Sequence, residues 1–222
     1  VVGEVIDHFK LWFELPLVVL DFETTGRAAS HDDRIVEIAA VRVENLKVVR
    51  SWQTYLNPDR PIPEDASLVH GIYGEDVALA PRFRAKAGEL LAFCDGAIPC
   101  AYNEGFDRGF LMAELWNAGF DARVPIMAWP EWLDILAWTR SVDRFMKNDD
   151  GSKASNRLSE ACKRRGIETP GAHGALADAK AAAALLAAIA YDMHRSTISE
   201  LIRRQQLLSS AYDRRHNTPR NR

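Results

Sequence analysis

Leu15-Pro16-Leu17-Val18-Val19-Leu20-Asp21-Phe22-Glu23-Thr24-Thr25-Gly26 is the stretch on which the reading of this chain turns. The apolar run 17–20, with Pro16 before it and Gly26 after it, predicts a buried strand. Side chains alternate across a strand, so Asp21 and Glu23 leave its C-terminal end on one face while Phe22 points to the other. Like charges held that close disfavour each other's ionisation unless something positive lies between them. A divalent cation with oxygen ligands meets that need. The pair fits equally well as a strand end entering a solvated loop, and the choice between the two rests on the remaining chain.

Upstream, Val2, Val5, Ile6, Phe9 and Phe13 recur at helical spacing among Glu4, Asp7 and Lys10, which predicts a short amphipathic helix within an N-terminal extension, 1–16. Downstream, a polar loop with Asp32 and Asp33 leads to strands at 35–43 and 48–56. Their short connections predict an antiparallel meander with the first strand. Glu37 reads as a solvent-facing interruption of the second strand. Three prolines keep 57–63 irregular. In Val69-His70-Gly71-Ile72, His70 taken alone reads as structural or surface. A helix at 82–93, a strand at 97–101 and a helix at 105–117 follow. Asp107 falls in the first turn of the latter, where the helix dipole alone would favour a carboxylate.

A short strand is expected at 125–128, a helix with Asp134 at 131–140, a polar loop at 141–155 and a helix at 156–166. The turn Thr169-Pro170-Gly171-Ala172-His173-Gly174 delivers His173 to an alanine-rich helix at 175–194. Asp178, five residues on, can face the same cleft. Thr197 and Glu200 have capping-box spacing ahead of a last helix carrying Ile198, Leu201, Ile202 and Leu208. The tail holds Arg203, Arg204, Arg214, Arg215, Arg220 and Arg222. It reads as a solvated terminus, with a hold on nucleic acid as the alternative. The division expected is an extension 1–16, one α/β domain 17–194, and a C-terminal helix and basic tail 195–222.

Composition limits the classes available. The chain has 222 residues, 47% of them hydrophobic, and a net charge of -3, with a pI near 6.1. A protein that coats nucleic acid through a global basic field is thereby excluded. An enzyme gripping only a strand end is not, because bound cations supply local positive charge. Cys94, Cys100 and Cys162 form no C-x-x-C pair, which suits a reducing, cytoplasmic setting. The charged residues near the start do not form a secretory signal, and no apolar run is long enough for a membrane span. The chain begins at Val1, not at a methionine, which leaves room for a further N-terminal part.

Three segments share a resemblance. Asp21-Phe22-Glu23-Thr24-Thr25-Gly26, then Asn103-Glu104-Gly105-Phe106-Asp107 continuing to Phe110-Leu111, then His173 followed by Asp178, resemble in order the motifs of the DEDDh family of 3′–5′ exonucleases, similar to the proofreading epsilon subunit of bacterial DNA polymerase III. Asn57-Pro58, Val69-His70-Gly71-Ile72 and Trp132-Leu133-Asp134 fall where that family carries such residues. Tyr102, Tyr73 and Gly174 depart from its usual histidine, threonine or serine, and arginine. These departures bear on substrate preference and leave the reaction intact.

The resemblance implies an RNase H-like exonuclease fold, a mixed five-stranded sheet flanked by helices. It implies hydrolysis by two divalent cations, Mg²⁺ or Mn²⁺, held by Asp21, Glu23, Asp107 and Asp178, with His173 as general base. Asp21 would bridge the ions, Glu23 and Asp178 serve the water-activating one, and Asp107 the second. Thr24, Val69, His70, Asn103 and Phe106 would receive the terminal nucleotides of a single-stranded 3′ end, DNA favoured, releasing nucleoside 5′-monophosphates. A polymerase or another replication or repair protein is the implied partner. An RNA-trimming exoribonuclease and a non-catalytic nucleic-acid-binding scaffold are the competing readings.

Overall fold

The computed structural model describes residues 10–29, 32–120, 124, 126, 132–148, 151–169, 174–193 and 195–217, with side chains as far as Tyr212. Strand β1 (Leu17–Thr24) lies at the centre of a five-stranded sheet. β2 (Ile35–Glu44) pairs antiparallel with it, and β3 (Lys47–Tyr55) pairs antiparallel with β2, giving the expected meander. On its other side β1 pairs in parallel with β4 (Ile98–Ala101), and β4 with β5 (Leu133–Asp134). The order is therefore β3-β2-β1-β4-β5.

The helices of this mixed sheet are α1 (Glu64–His70), α2 (Gly74–Val77), α3 (Phe83–Cys94), α4 (Glu104–Asn117), α5 (Ile135–Val142), α6 (Leu158–Lys163), α7 (Ala175–Ile189) and α8 (Ile198–Asn217). Alternation along β1 divides the core. Val18, Leu20 and Phe22 join Ile38 and Ala40 under α3 and α4, through Phe83, Leu90, Phe110 and Leu111. Leu17 and Val19 join Ala39 and Val41 under α7, whose contribution is largely Ala175, Ala179, Ala182 and Ala183. Alanines present little bulk, so α7 lies close across β1 and β2. That closeness brings its first turn to the end of β1.

Several expectations need correction. The fifth strand is Leu133–Asp134, inside the predicted helix 131–140. The helix starts only at Ile135, because the Asp134 carboxylate caps it by accepting the Leu136 and Ala137 amides. The strand expected at 125–128 falls almost wholly outside the described residues, as do residues 1–9 of the N-terminal helix, His173 and the side chains of Arg214, Arg215, Arg220 and Arg222. Helix α1 was not foreseen. Pro63 stands at its N-cap, Glu64 and Asp65 occupy its first turn, and Gly71 ends it at φ 72. Glu37 is buried, not solvent-facing. It stands in register with Glu23 on the face that α7 covers.

Chain entry and exit meet at the same core. Trp12 is fully buried beside Ile198 and Leu201, and its amide donates to the Ser196 carbonyl at 3.1 Å. From α8, the buried Gln205 accepts the Asp134 amide and donates to the Trp132 carbonyl, each at 2.8 Å. It thereby satisfies backbone groups at the outer edge strand. No helix of the described residues is long and apolar enough to cross a membrane.

Candidate active site

The turn after β1 is fixed by its own side chains. Thr24 Oγ1 donates to the Gly26 carbonyl at 2.6 Å, and Thr25 Oγ1 donates to Asp33 and accepts the Arg34 amide. A Cβ at Gly26 would collide with the Asp33 carboxylate, so a larger residue there would have to push Asp33 off its bonds to Thr25 and the Ala28 amide. The loop acids Asp33 and Asp32 thus hold the turn: Arg60 donates to the Asp32 carbonyl at 2.5 Å. Across the sheet, Glu114 of α4 takes Arg34 through two bonds of 2.7 and 2.8 Å. Two turns earlier on the same helix face stands Asp107.

Asp107 occupies a gap in the backbone ladder. The β1–β4 pairing ends at Val19 and Cys100, and the Phe22 amide beyond it donates to Asp107 Oδ1 at 3.2 Å. Asp21 and Glu23 emerge toward α7, where Asp178 lies in the first turn. Oxygen atoms of Asp21, Glu23 and Asp178 lie within 4.8 Å of one another. The sequence pair is therefore a three-carboxylate cluster, with Asp107 beside it.

The electrostatics follow from this crowding. Burial, then Asp107, Glu23 and Asp178, hold the Asp21 carboxyl well above the usual carboxylate range. Burial, then Asp178 and Glu37, push Glu23 up to about 8. Asp107 is also raised, by burial first, against the opposing pull of the Phe22 amide. Carboxylates that repel one another in a partly buried site, all hard oxygen donors, suit a divalent cation. Asp21, Glu23 and Asp178 would hold such an ion, with Asp107 adjacent.

Thr24, Val69, His70 and Phe106 are brought together in a cleft of about 430 Å³ that Glu23 also lines. His70 is buried, and its Nδ1 accepts the Ile72 amide at 3.0 Å. Burial holds the imidazole below its ordinary pKa against the opposing pull of the Thr24 backbone, and with Nδ1 accepting, the neutral ring carries its proton on Nε2, which is itself buried. Phe106 packs on Phe110 with ring centroids 4.9 Å apart, while Val69 stays exposed. Asn103 is not in this group. It stands at the N-cap position of α4 without a side-chain capping bond and lines an adjoining cleft with Asp178.

One residue of the site was missed from sequence. Glu37 Oε2 accepts the Ala175 amide at 3.0 Å, and its other oxygen accepts from Gln53. It therefore ties β2 to the first residue of α7, one turn before Asp178. A charge set among the apolar residues 35–41 of the strand, opposite Glu23 once the meander is assumed, was the available signal.

The exonuclease family (RNase_T) matches residues 18–186. The chain is 34% identical over 165 residues to the DNA polymerase III subunit epsilon of Rickettsia felis, covering 73% of this chain and 68% of that one. It is 40% identical over 103 residues to the 3′-5′ exonuclease DinG of Bacillus subtilis, but covers only 11% of that protein and 46% of this one. Among solved structures, E. coli exonuclease I in complex with a dT13 oligonucleotide matches with a TM-score of 0.67 at 24% identity, over 79% of this chain and 41% of that one. The nuclease domain of 3′hExo, a DEDDh family member bound to rAMP, matches with a TM-score of 0.67 at 16% identity, over 82% and 94%. At these identities the structures speak for the fold. The matched segment runs from the strand that ends in Asp21 and Glu23 through the helix that carries Asp178, and on that footing the chain belongs to the exonuclease family.

Proposed function

We propose that this protein removes nucleotides from the 3′ end of single-stranded DNA by hydrolysis at two divalent cations, releasing nucleoside 5′-monophosphates. The observation that carries the reading is the convergence of Asp21, Glu23 and Asp178 oxygens within 4.8 Å, with Asp107 anchored beside them. When bound, the ions polarise the phosphoryl group, activate water and stabilise the leaving 3′ oxygen.

The chain's own residues supply the rest. The cleft of Thr24, Val69, His70 and Phe106 offers an aromatic face, on which a terminal base stacks without its sequence being read. Glu37 and the alanine face of α7 fix Asp178 against β1. His173, in the turn leading into α7, takes the proton of the attacking water in this reading. That assignment rests on its sequence position, five residues before Asp178. A cytoplasmic setting beside a polymerase or another replication protein belongs to the same reading. It is supported by the epsilon relative and by three buried free thiols.

The test is degradation of matched end-labelled DNA and RNA oligonucleotides with Mg²⁺, Mn²⁺ or a chelator. A ladder that shortens from the 3′ end, releases mononucleotides, stops with the chelator and runs faster on DNA is expected. RNA is the second reading because the 3′hExo neighbour holds rAMP, and a faster ladder on RNA would select it. Intact strands with added metal would overturn both.

A further inference from the structure

A second cleft, of about 760 Å³, adjoins the carboxylate cluster from the other side. Glu23 lines the nucleotide cleft and Asp178 lines this one, so the carboxylates stand between the two. Among the described residues of its lining Asp178 is the only acid, against three cations: Arg140 from α5, Lys153 beside the Lys147–Lys153 bridge, and Arg157 at the start of α6. Lys153 and Arg157 are exposed. Among the described residues none of the three cations is ion-paired.

Two of them converge on one ring. The Arg140 guanidinium lies 4.0 Å from the ring centroid of Tyr212 and the Lys153 ammonium 5.9 Å from it. Tyr212 comes from α8, beyond the segment matched by the family. Cations gathered at one ring repel each other, and an anion near them relieves that cost. The wall that presents them is braced. Arg164 donates to the buried Asp143 at 2.5 Å and to Asn156 Oδ1 at 2.9 Å, and Arg165 holds the other Asp143 oxygen at 2.6 Å. The Asn156 carbonyl in turn accepts from Tyr102 at 2.6 Å. The backbone leading to Arg157 is thus tied to the sheet before any ligand arrives.

We infer that this cleft binds the phosphodiester backbone of the substrate strand on the 5′ side of the scissile bond. The inference rests on the reading above: the terminal nucleotide lies in the cleft of Thr24 and Phe106, the scissile phosphate at the carboxylates, and the strand continues past Asp178 to Arg140, Lys153 and Arg157. Phosphates meet the cations there, and a base has the Tyr212 ring to pack against.

The test compares the intact chain with the triple variant Arg140→Gln, Lys153→Gln, Arg157→Gln and with the double variant Lys153→Glu, Arg157→Glu. The double variant changes only exposed side chains, and thermal melting verifies folding of both. Binding of a fluorescent oligothymidylate is measured by anisotropy, with a chelator present, across a range of salt concentrations. Each lost phosphate contact lowers the slope of log affinity against log salt by about 0.7, so the triple variant should lose roughly 2. Hydrolysis of thymidine 5′-monophosphate p-nitrophenyl ester, which has no 5′ strand, should be unchanged in both variants. An unaltered salt slope in folded triple and double variants overturns the inference, whatever the activity. A lowered slope in a chain that hydrolyses neither substrate keeps the basic track and removes the catalytic reading instead.

Discussion

Burial, and after it the charges of Asp178 and Glu37, push the Glu23 carboxyl up to about 8. A glutamate in the unfolded chain titrates near 4.5, so between those values the folded state holds a proton that the unfolded state releases. Stability from this group is complete below about 4.5 and is lost as pH rises through 8. Melting temperatures in a chelator should therefore fall across that window, and fall less in Glu23→Gln. With saturating Mg²⁺ or Mn²⁺ the sign reverses, because the ion binds the deprotonated cluster and displaces its protons. Identical wild-type and Glu23→Gln profiles would contradict the assignment. Asp21→Asn should melt higher than wild type at alkaline pH in the chelator, yet lose activity on the order of 10³-fold, since a missing ligand costs several kcal/mol of transition-state stabilisation. His173→Ala separates a base from a ligand. Turnover should drop by about 10²–10⁴-fold while the rise in melting temperature with Mn²⁺ is retained. Loss of that rise would move His173 into the metal-holding set.

At the scale of elements, α7 decides whether the carboxylates meet. Ala182 lies one turn beyond Asp178 on the same helix face and is buried with Ala39 of β2. Ala182→Leu inserts bulk between helix and sheet, and should cost about 1–3 kcal/mol in denaturant unfolding. It should also weaken divalent-cation affinity by roughly 10-fold, because Asp178 is displaced with the helix. Ala188→Leu, on the exposed side, is the control; equal effects from both would mean that close packing does not position the ligand. The strand and the helix faces that bear Asp21, Glu23, Asp107 and Asp178 were legible in the sequence because each rests on a long periodic pattern. β5 was not, since two residues carry no period and their strand character comes from pairing with Cys100 and Ala101. Glu37 misled for a related reason. Local alternation says nothing about a helix contributed from 138 residues away, whose first amide is what satisfies the buried carboxylate. Asn103 was legible only through its motif with Asp107, and its placement in the second cleft beside Asp178 follows from tertiary packing.

Over the whole molecule, segments from before β1 and after α7 close the α7 side of the sheet. Trp12 packs with Met193, Ile198 and Leu201 in the same cluster as Val19 and Ala179, and Leu11 bridges Thr197. The segment before β1 is therefore part of the core that supports α7, even though its spacing reads as an extension. Removing the indole should cost about 3–5 kcal/mol, because a cavity in a packed interior relaxes only in part. Trp12→Phe tests the argument further. It shrinks the side chain, but it also removes a buried Nε1–H that has no hydrogen-bond partner, and an unsatisfied donor itself costs about 1–3 kcal/mol. The two effects oppose, so Trp12→Phe should unfold within about 1 kcal/mol of wild type while Trp12→Ala unfolds far earlier. Both should keep a single cooperative transition monitored by tryptophan fluorescence and by circular dichroism. Two separated transitions in Trp12→Ala would show instead that the terminal segments unfold independently of the sheet, and the support they give to α7 would then have to come from elsewhere in the core.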